Sequence, residues 1–353
     1  MEASTIRLKA LRPEGEITEA DFDFATAKIS TDLAECDILV RLLCISADPF
    51  QRGRMKMADS GYTDIMSGFV SGEVVESKNA EWPVGALFGG YRPYKTVQII
   101  TAKETAGIWN LTPYISREQA SLGTGALGMP GATAYHGLFN ILRPKKEEVL
   151  FVSAASGAVG ALVGQMAKSA GCTVIGSAGG PEKGKHLMET LKFDHAIDYR
   201  SVSNTSELEA KIREVSPDGI DMDFENVGGM HFEACFRTLK PFGRIAVCGV
   251  ISRYNEAPSS TSSDTLLGVG ESNLERINIG NMIYSRQRIE GFLASEELAP
   301  TERKFLPHMA KLIANKEIVC EETIFEGPLQ DWPKVFVATM NGKHLGKTVL
   351  RLE

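Results

Sequence analysis

Residues that can bind a phosphate lie between Val149 and Gly160, in the stretch VLFVSAASGAVG. A short apolar run typical of a β-strand passes here into small residues and then into a helical pattern. Ala155, Gly157 and Gly160 take the three special positions of a G-x-G-x-x-G turn, in which only the first glycine is replaced. In such a turn the free N–H groups and the positive end of a helix face a pyrophosphate. The glycine spacing alone also fits a tight connection, but its flanking elements favour a dinucleotide site.

The next strand indicates which nucleotide is bound. The segment CTVIGSAGGPEKGK contains a short strand ending near Gly176, where an NAD-binding fold usually carries an acidic residue for the ribose hydroxyls. This strand end is small and uncharged instead, with Ser177 as its first polar residue and Lys183 just inside a helix that Pro181 can begin. A small strand end with a nearby cation suits a 2′-phosphate. We therefore predict NADP(H), although Lys183 also fits a solvated helix lysine.

The elements that position this turn form the middle zone of a three-zone chain. The helix after the turn carries a buried stripe of Val159, Leu162, Val163 and Met166, and Gly171 stands where its C-terminal cap is expected. Strands and helices alternate from about residue 125 to 293, which predicts a parallel sheet covered on both faces. The predicted strands of this zone are VLFVS, TVIGS, AIDY, GIDMDFEN, GRIAVCGV and RIEGFL.

The two flanking zones differ from the middle one. Before about Leu122, β-type runs separated by Gly, Pro and Asp turns predict an all-β or barrel-like unit. After Thr301 the pattern predicts an amphipathic helix to about Ala314, the strand IVCEETIF, a short helix near Trp332 to Met340 and the strand KTVLRL, a tail that returns to the first zone. A Ser/Thr/Gly/Pro-rich stretch spans 255–273 and is interpreted either as a mobile lid or as a surface insertion.

Composition limits the function classes. The chain has 353 residues, 43% of them hydrophobic and 24% charged, which fits about two ordinary globular domains. A net charge of −7 without long charged runs argues against a nucleic acid or an anionic membrane as the main partner. No apolar run approaches the length of a membrane span and the start lacks a signal-peptide core, so we predict a cytoplasmic protein. The six cysteines and six histidines show no ligand spacing, so no metal site is predicted.

Seven strings in order along the chain resemble those of the medium-chain dehydrogenase/reductase superfamily. Within it, the chain is similar to the zinc-independent branch of leukotriene 12-hydroxydehydrogenase/prostaglandin reductases and plant alkenal double-bond reductases. The strings are SADPFQRGRM (46–55), GMPGATAYHGL (128–138), VSAASGAVGALVGQMAK (152–168), FENVGG (224–229), FGRIAVCGVISRYN (242–255), IEGF (289–292) and LGKTVL (345–350).

This resemblance implies an α/β fold, namely a Rossmann doubly wound parallel sheet of six strands plus a GroES-like β-rich catalytic domain. The implied domains are 1–124 with 316–353 for the GroES-like part and 125–315 for the NADP(H)-binding part. It also implies NADPH-dependent reduction of the carbon–carbon double bond of α,β-unsaturated aldehydes and ketones, including a 15-oxo-prostaglandin 13-reductase type. A homodimer formed through exposed Rossmann sheet edges is implied as well.

The same resemblance suggests roles for individual residues. Tyr254, in ISRYN, matches a tyrosine assigned to substrate binding and protonation, and a neutral phenol is a good donor to an enolate. A loop tyrosine that anchors its segment is the alternative for this position. The cofactor-binding candidates are Ala155, Gly157, Ala158, Val159, Gly160, Ser177, Lys183, Tyr199, Asn226, Gly249, Tyr254 and His344.

Two departures from the family pattern affect substrate and cofactor contacts. Phe50, in DPFQRGRM, stands where relatives often have a tyrosine lining the substrate pocket, so an apolar face replaces a hydroxyl. His344 replaces a common asparagine, which predicts cofactor affinity that depends on pH near neutrality. A quinone reductase and a non-catalytic NADPH-binding protein stay open as alternatives. The natural substrate, whether lipid enal, oxo-prostanoid or xenobiotic enone, is not determined by the sequence.

Overall fold

The computed structural model describes residues 1–256, 279–299 and 303–353. Most of the serine-rich stretch singled out in the sequence, from residue 257 on, lies outside the described residues. Two larger sheets and one two-stranded ribbon organise the described chain. None of the helices in these ranges has both the length and the apolar character that a membrane crossing requires.

The first zone is rich in strands, as its turn spacing predicts. Its elements are β1 (Glu2–Leu8), β2 (Phe22–Lys28), β3 (Ile38–Ser46), α1 (Phe50–Arg54), β4 (Ser67–Ser77), β5 (Leu87–Pro93), β6 (Val97–Ile100) and β7 (Ile108–Asn110). Strands β1 and β2 pair with each other. Strand β3 pairs antiparallel with β4 and β6, β4 pairs with β5, and β5 pairs with β7. The inner faces of both groups share an apolar core that includes Ile6, Ile38 and Val70.

The middle zone alternates strand and helix. Its elements are α2 (Met129–Tyr135), β8 (Val149–Val152), α3 (Gly160–Ser169), β9 (Thr173–Ala178), α4 (Pro181–Glu189), β10 (His195–Asp198), α5 (Thr205–Val215), β11 (Ile220–Glu225), α6 (Met230–Thr238), β12 (Leu239–Val247), α7 (Ile279–Ser285), β13 (Arg288–Gly291), α8 (Ser295–Leu298) and α9 (Phe305–Ala314). The six strands form one parallel sheet in the order β10-β9-β8-β11-β12-β13. This order reverses at β8, which is the switch point where a doubly wound sheet binds ligands. The predicted six-stranded Rossmann sheet is confirmed.

The tail rejoins the first zone, as predicted from its sequence. Its elements are β14 (Glu322–Gly327), α10 (Trp332–Met340) and β15 (Lys347–Leu352). Strand β15 pairs antiparallel with β3 through Val349 and Ser46. Strand β14 pairs parallel with β15 and forms one edge of this sheet. The strand predicted from IVCEETIF begins only at Glu322, because the residues before it connect α9 to the other sheet. The resulting sheet has seven strands.

Helix α3 packs onto the parallel sheet through the predicted stripe. Leu162, Val163 and Met166 are buried, whereas Val159 precedes the helix as its cap and is only partly buried. Gly171 has a φ of 85°, the left-handed conformation that a glycine adopts after a helix end. This packing fixes the direction of the helix whose first turn points to the candidate phosphate site.

Candidate active site

The phosphate turn lies where β8 ends and α3 begins. A β-carbon on Gly160 would lie 2.6 Å from Ala154 O and 2.8 Å from Ala155 Cα, so only glycine lets the helix start this close to the strand. Ala154 itself has a φ of 48°, an uncommon conformation for alanine that turns the chain sharply. A short bridge links Gly157 to Gly346 of the tail. The residues present therefore fit a pyrophosphate held by backbone N–H groups at a helix start.

The end of β9 is small and backed by aromatic and cationic side chains. A β-carbon on Gly179 would lie 2.8 Å from Arg200 Nε and 2.9 Å from Tyr199 Oη, which places both residues directly beside this glycine. Arg200 is exposed. A glycine at the strand end with a phenol and a guanidinium directly beside it fits a phosphorylated ribose.

Ser177 is placed differently from the other predicted cofactor residues. Its side chain is fully buried and its hydroxyl lies 2.9 Å from His231 Nε2. The edge of the Tyr199 ring packs against His231, with the ring centres 5.5 Å apart. Burial lowers the pKa of His231 to about 4, so the imidazole is neutral. His231 thus supports the β9 end from inside, and we expect Ser177 to contribute through its backbone.

Lys183 reaches across to the tail. Its ammonium donates to Gly342 O at 2.8 Å and to His344 O at 3.0 Å. Burial, followed by the charge of Arg200, lowers the pKa of Lys183. The lysine is therefore positioned between the β9 end and the segment that carries His344, near the predicted 2′-phosphate position.

His344 packs edge-on against Phe325, with ring centres 5.2 Å apart. Burial, then the charges of Lys183 and Lys343, lower its pKa below the ordinary 6.5. The charged form of His344 is thus confined to acidic solution in the absence of a bound anion. The expected pH dependence of cofactor affinity stays a prediction, moved to the acidic side of neutrality.

A polar network joins the ends of β8 and β11. Asn226 Nδ2 donates to Ser153 O at 2.7 Å, and Ser153 Oγ accepts the Asn226 N–H at 2.7 Å. The carboxylate of Glu225 accepts the N–H groups of Val227 and, at 2.7 Å, of Gly228. These contacts shape the loop around Asn226, one of the predicted cofactor-binding residues.

Two carboxyl groups are fully buried beneath this loop. Asp223 and Glu225 are 0% exposed and occupy alternate positions of β11, on the same face of the strand. Burial first, then the neighbouring Glu225, raises the pKa of Asp223 well above its ordinary value. Burial raises the pKa of Glu225 to about 7. Burial therefore disfavours the charged form of both carboxyl groups.

We expect Asp223→Asn to flatten the dependence of folding stability on pH. The folded-state pKa of Asp223 is raised, so its contribution is fully present below its unfolded pKa and is lost as pH rises toward the folded pKa. Each proton released on unfolding costs up to about 1.4 kcal/mol of stability per pH unit. Urea unfolding at pH 5.5 and pH 8 should show a larger loss for the wild type than for the variant.

The matched control for this measurement is Asp221→Asn on the same strand. Asp221 is partly exposed and pairs with Lys240 at 3.0 Å. Asp221→Asn therefore removes a carboxylate of the same strand outside the buried pair, and the contribution of His231 is common to all three proteins. Equal pH slopes for the wild type and Asp223→Asn would show that the buried carboxyl is ionised in the folded protein.

Tyr254 lies at the same edge of the parallel sheet. It follows a short 3₁₀ turn, Ile251–Arg253, and is 7% exposed. A β-carbon on Gly249 would lie 3.1 Å from Tyr254 Oη and 3.4 Å from Asn226 O, so the phenol stands beside the ends of β11 and β12. Burial, and to a smaller extent the neighbouring Cys248, raises the pKa of Tyr254 to about 12. A hydrogen bond with the Val250 backbone lowers this pKa by a smaller amount. The hydroxyl is thus a neutral hydrogen-bond donor at physiological pH.

Phe50 belongs to an aromatic group on the first zone. Its ring packs edge-on against Phe69, with centres 6.0 Å apart, and Phe69 packs edge-on against Tyr91 at 5.3 Å. Helix α1, which carries Phe50, also carries Arg52, whose guanidinium donates to Asn255 Oδ1 at 3.1 Å. The structure therefore brings α1 beside the segment of Tyr254.

Sequence reasoning missed Arg52, His231, Glu225 and Asn255. Their only local signal is proximity to motifs, since Glu225 precedes Asn226 and Asn255 follows Tyr254. Among the residues that the structure describes, no group of three or more His, Cys, Asp or Glu could hold a metal ion.

Family models match two parts of the chain. Residues 5–108 match the N-terminal domain of oxidoreductases and residues 158–311 match the zinc-binding dehydrogenases. Together these ranges cover well over half of the 353 residues.

Similar proteins extend the match over nearly the whole chain. The chain is 34% identical over 342 residues to prostaglandin reductase 1 of Mus musculus, covering 96% of each. It is 36% identical over 342 residues to the NADP(+)-dependent 2-alkenal reductase of Nicotiana tabacum, covering 94% of this chain and 92% of the relative. The NADPH complex of CurA from Vibrio vulnificus has a TM-score of 0.84 and 32% identity, with 99% of both chains covered.

The chain is an oxidoreductase with a Rossmann sheet and a β-rich partner sheet. It belongs to the zinc-independent branch of the medium-chain dehydrogenase/reductase family that includes prostaglandin and alkenal reductases. The predicted family, the α/β fold class and NADP(H) as the cofactor are confirmed.

Proposed function

We propose that the protein reduces the carbon–carbon double bond of α,β-unsaturated aldehydes and ketones with NADPH. The observation that carries this proposal is the buried hydroxyl of Tyr254 beside Gly249, at the edge of the sheet where the dinucleotide turn also lies. The names of the similar prostaglandin and alkenal reductases support the same reaction.

The cofactor residues proposed here follow the geometry of the sheet edge. Gly157 and Gly160 leave room for the pyrophosphate, Lys183 and Tyr199 border the 2′-phosphate and ribose, and Asn226 lies near the nicotinamide ribose. The chemistry supplied by bound NADPH is hydride transfer to the β-carbon of the substrate. His344, in the tail segment held by Lys183, completes the proposed contacts.

Tyr254 acts on the other end of the conjugated system. As the β-carbon is reduced, negative charge develops on the carbonyl oxygen as an enolate. A donor already positioned beside that oxygen lowers the barrier, and one such donor contributes roughly 3 to 4 kcal/mol in comparable sites. The raised pKa of Tyr254, about 12, keeps its proton in place for this interaction.

The proposed substrate class is supported by the aromatic wall formed by Phe50, Phe69 and Tyr91. Edge-on aromatic rings present an apolar surface with one hydroxyl, that of Tyr91, which is 38% exposed. Such a surface favours flat, apolar enones and enals over small polar carbonyl compounds. A medium-chain 2-alkenal and an aryl enone are therefore the substrates to try first.

The test is NADPH oxidation by the purified protein with a conjugated carbonyl, its saturated analogue and a quinone. Consumption with the conjugated carbonyl alone, giving a product with a saturated Cα–Cβ bond, supports the proposal. Turnover of the quinone but not the enone would identify a quinone reductase. Tight NADPH binding without any turnover would identify a non-catalytic binding protein.

We also propose the division into a GroES-like part, 1–124 with 316–353, and a Rossmann part, 125–315. Pairing of β15 with β3 supports it. The predicted homodimer would use the exposed edge of β13, near which Tyr284 and Leu293 are 84% and 69% exposed. Light scattering of the purified protein checks this prediction, and a monomer mass would contradict it.

A further inference from the structure

Arg52 is a fully buried arginine with three neutral hydrogen-bond acceptors. Its side chain is 0% exposed, and Nε donates to Asn255 Oδ1 at 3.1 Å. Nη1 donates to Arg12 O at 2.8 Å and Nη2 to Gly15 O at 2.9 Å. Burying a guanidinium is costly unless each donor is satisfied, so this arrangement tolerates little displacement of any partner.

The segment that carries Tyr254 is attached to the first zone at three points. The backbone carbonyl of Asn255 accepts the Gly15 N–H at 2.8 Å, and its side chain accepts from Arg52. Lys56 donates to the carbonyl of Glu256 at 2.5 Å. The residues directly after Tyr254 are therefore held by the β-rich part of the molecule.

The hydroxyl of Tyr254, by contrast, lies beside Gly249 at the edge of the parallel sheet. The tyrosine thus stands between an anchor on the first zone and the edge of the Rossmann sheet. Arg52 sits two positions after Phe50 on α1, so the contact with Asn255 fixes the distance between the proposed hydrogen-bond donor, Tyr254, and the proposed substrate wall. A displacement of about 1 Å in such a site can cost a large factor in rate.

We propose that Arg52 and Asn255 are positioning residues that set the place of the Tyr254 hydroxyl relative to the substrate wall on α1. We call this pair the Arg52 clamp. The inference rests on the proposed function, because it assigns the clamp an effect through Tyr254 as the donor to the enolate. The proposal predicts that loss of the Arg52 clamp lowers kcat and leaves the affinity for NADPH unchanged.

The test uses Asn255→Ala, which leaves Arg52 and its two backbone contacts in place. We expect kcat for enone reduction to fall roughly fivefold, with the dissociation constant of NADPH changed less than about twofold. Asn255→Asp keeps an acceptor oxygen for Arg52 and is expected to retain most of the wild-type kcat. Asn79→Ala is the matched control, since it removes the hydrogen bonds of an asparagine in the first zone, to Cys36 O and Glu81 N, away from Tyr254.

A double-mutant cycle separates positioning from general destabilisation. If the clamp acts through Tyr254, Asn255→Ala causes no further loss of kcat in a Tyr254→Phe background. The same fivefold loss in both backgrounds, or no loss in either, overturns the proposal.

Failure of the proposed function has a different signature. A wild-type protein that does not oxidise NADPH with any enone refutes the function and, with it, the clamp. A wild-type protein that reduces enones while the cycle is additive refutes the clamp alone.

Discussion

Replacing Tyr254 with phenylalanine is expected to lower kcat for enone reduction by about 100- to 1000-fold. The substitution removes only the hydroxyl that lies beside Gly249, and it leaves the buried ring and its packing in place. Because the lost interaction forms as charge develops on the carbonyl oxygen, kcat falls while NADPH affinity stays within about twofold. Steady-state kinetics with a 2-alkenal, together with a fluorescence titration of NADPH, measures both quantities.

Tyr114→Phe is the matched control, since that tyrosine is 38% exposed and follows β7 in the first zone. The pH profile gives a second criterion. With a pKa of about 12, Tyr254 keeps its proton through pH 10, so kcat of the wild type should show no alkaline loss from this group below that pH. Unchanged enone turnover in Tyr254→Phe would remove the tyrosine from the mechanism.

Replacing Lys183 with alanine is expected to raise the Michaelis constant for NADPH at least about tenfold, equivalent to roughly 1.4 kcal/mol. The constant for NADH should change little, because only NADPH carries the 2′-phosphate. The lysine lies on α4, which begins just after the end of β9, and Arg200 is a second cation beside Gly179. Initial rates over a range of each nucleotide provide the comparison.

The structure makes the control for this variant specific. Lys185 lies on the same helix with a side chain that is 64% exposed, so Lys185→Ala should leave both constants unchanged. Lys183 also donates to the carbonyls of Gly342 and His344. If the substitution raises both constants equally, its role is to tether this tail segment and the phosphate assignment is wrong.

Local signals explain most of what could be predicted about the fold. The turn from Ala155 to Gly160 lies within a few residues, and a β-carbon at Gly160 would clash with backbone, so its glycine is dictated by local geometry. The alternation of apolar strands and helices likewise depends on neighbours in sequence. Parallel strands connected by helices then place their carboxyl ends at one edge, which brings Ala155, Gly179 and Asn226 together.

Other parts of the site depend on contacts between distant residues. Arg52 and Asn255 are separated by 203 positions, and nothing near either one indicates that they pair. The sequence predicted Ser177 and Lys183 as cofactor contacts, but the buried imidazole of His231 and the carbonyls of the tail are their partners in the structure. Hydrogen-bond partners of this kind are fixed by how the two sheets pack.

The sequence by itself determined the Rossmann turn, the preference for NADP(H) and the family. Each of these is carried by the identity and spacing of residues along short stretches, such as FENVGG and ISRYN. The tertiary structure decided that Tyr254 is buried with a raised pKa, that Asp223 and Glu225 are both fully buried, and that α1 is attached to the Tyr254 segment. Desolvation and long-range pairing cause these properties, and both arise only when distant segments are packed against each other.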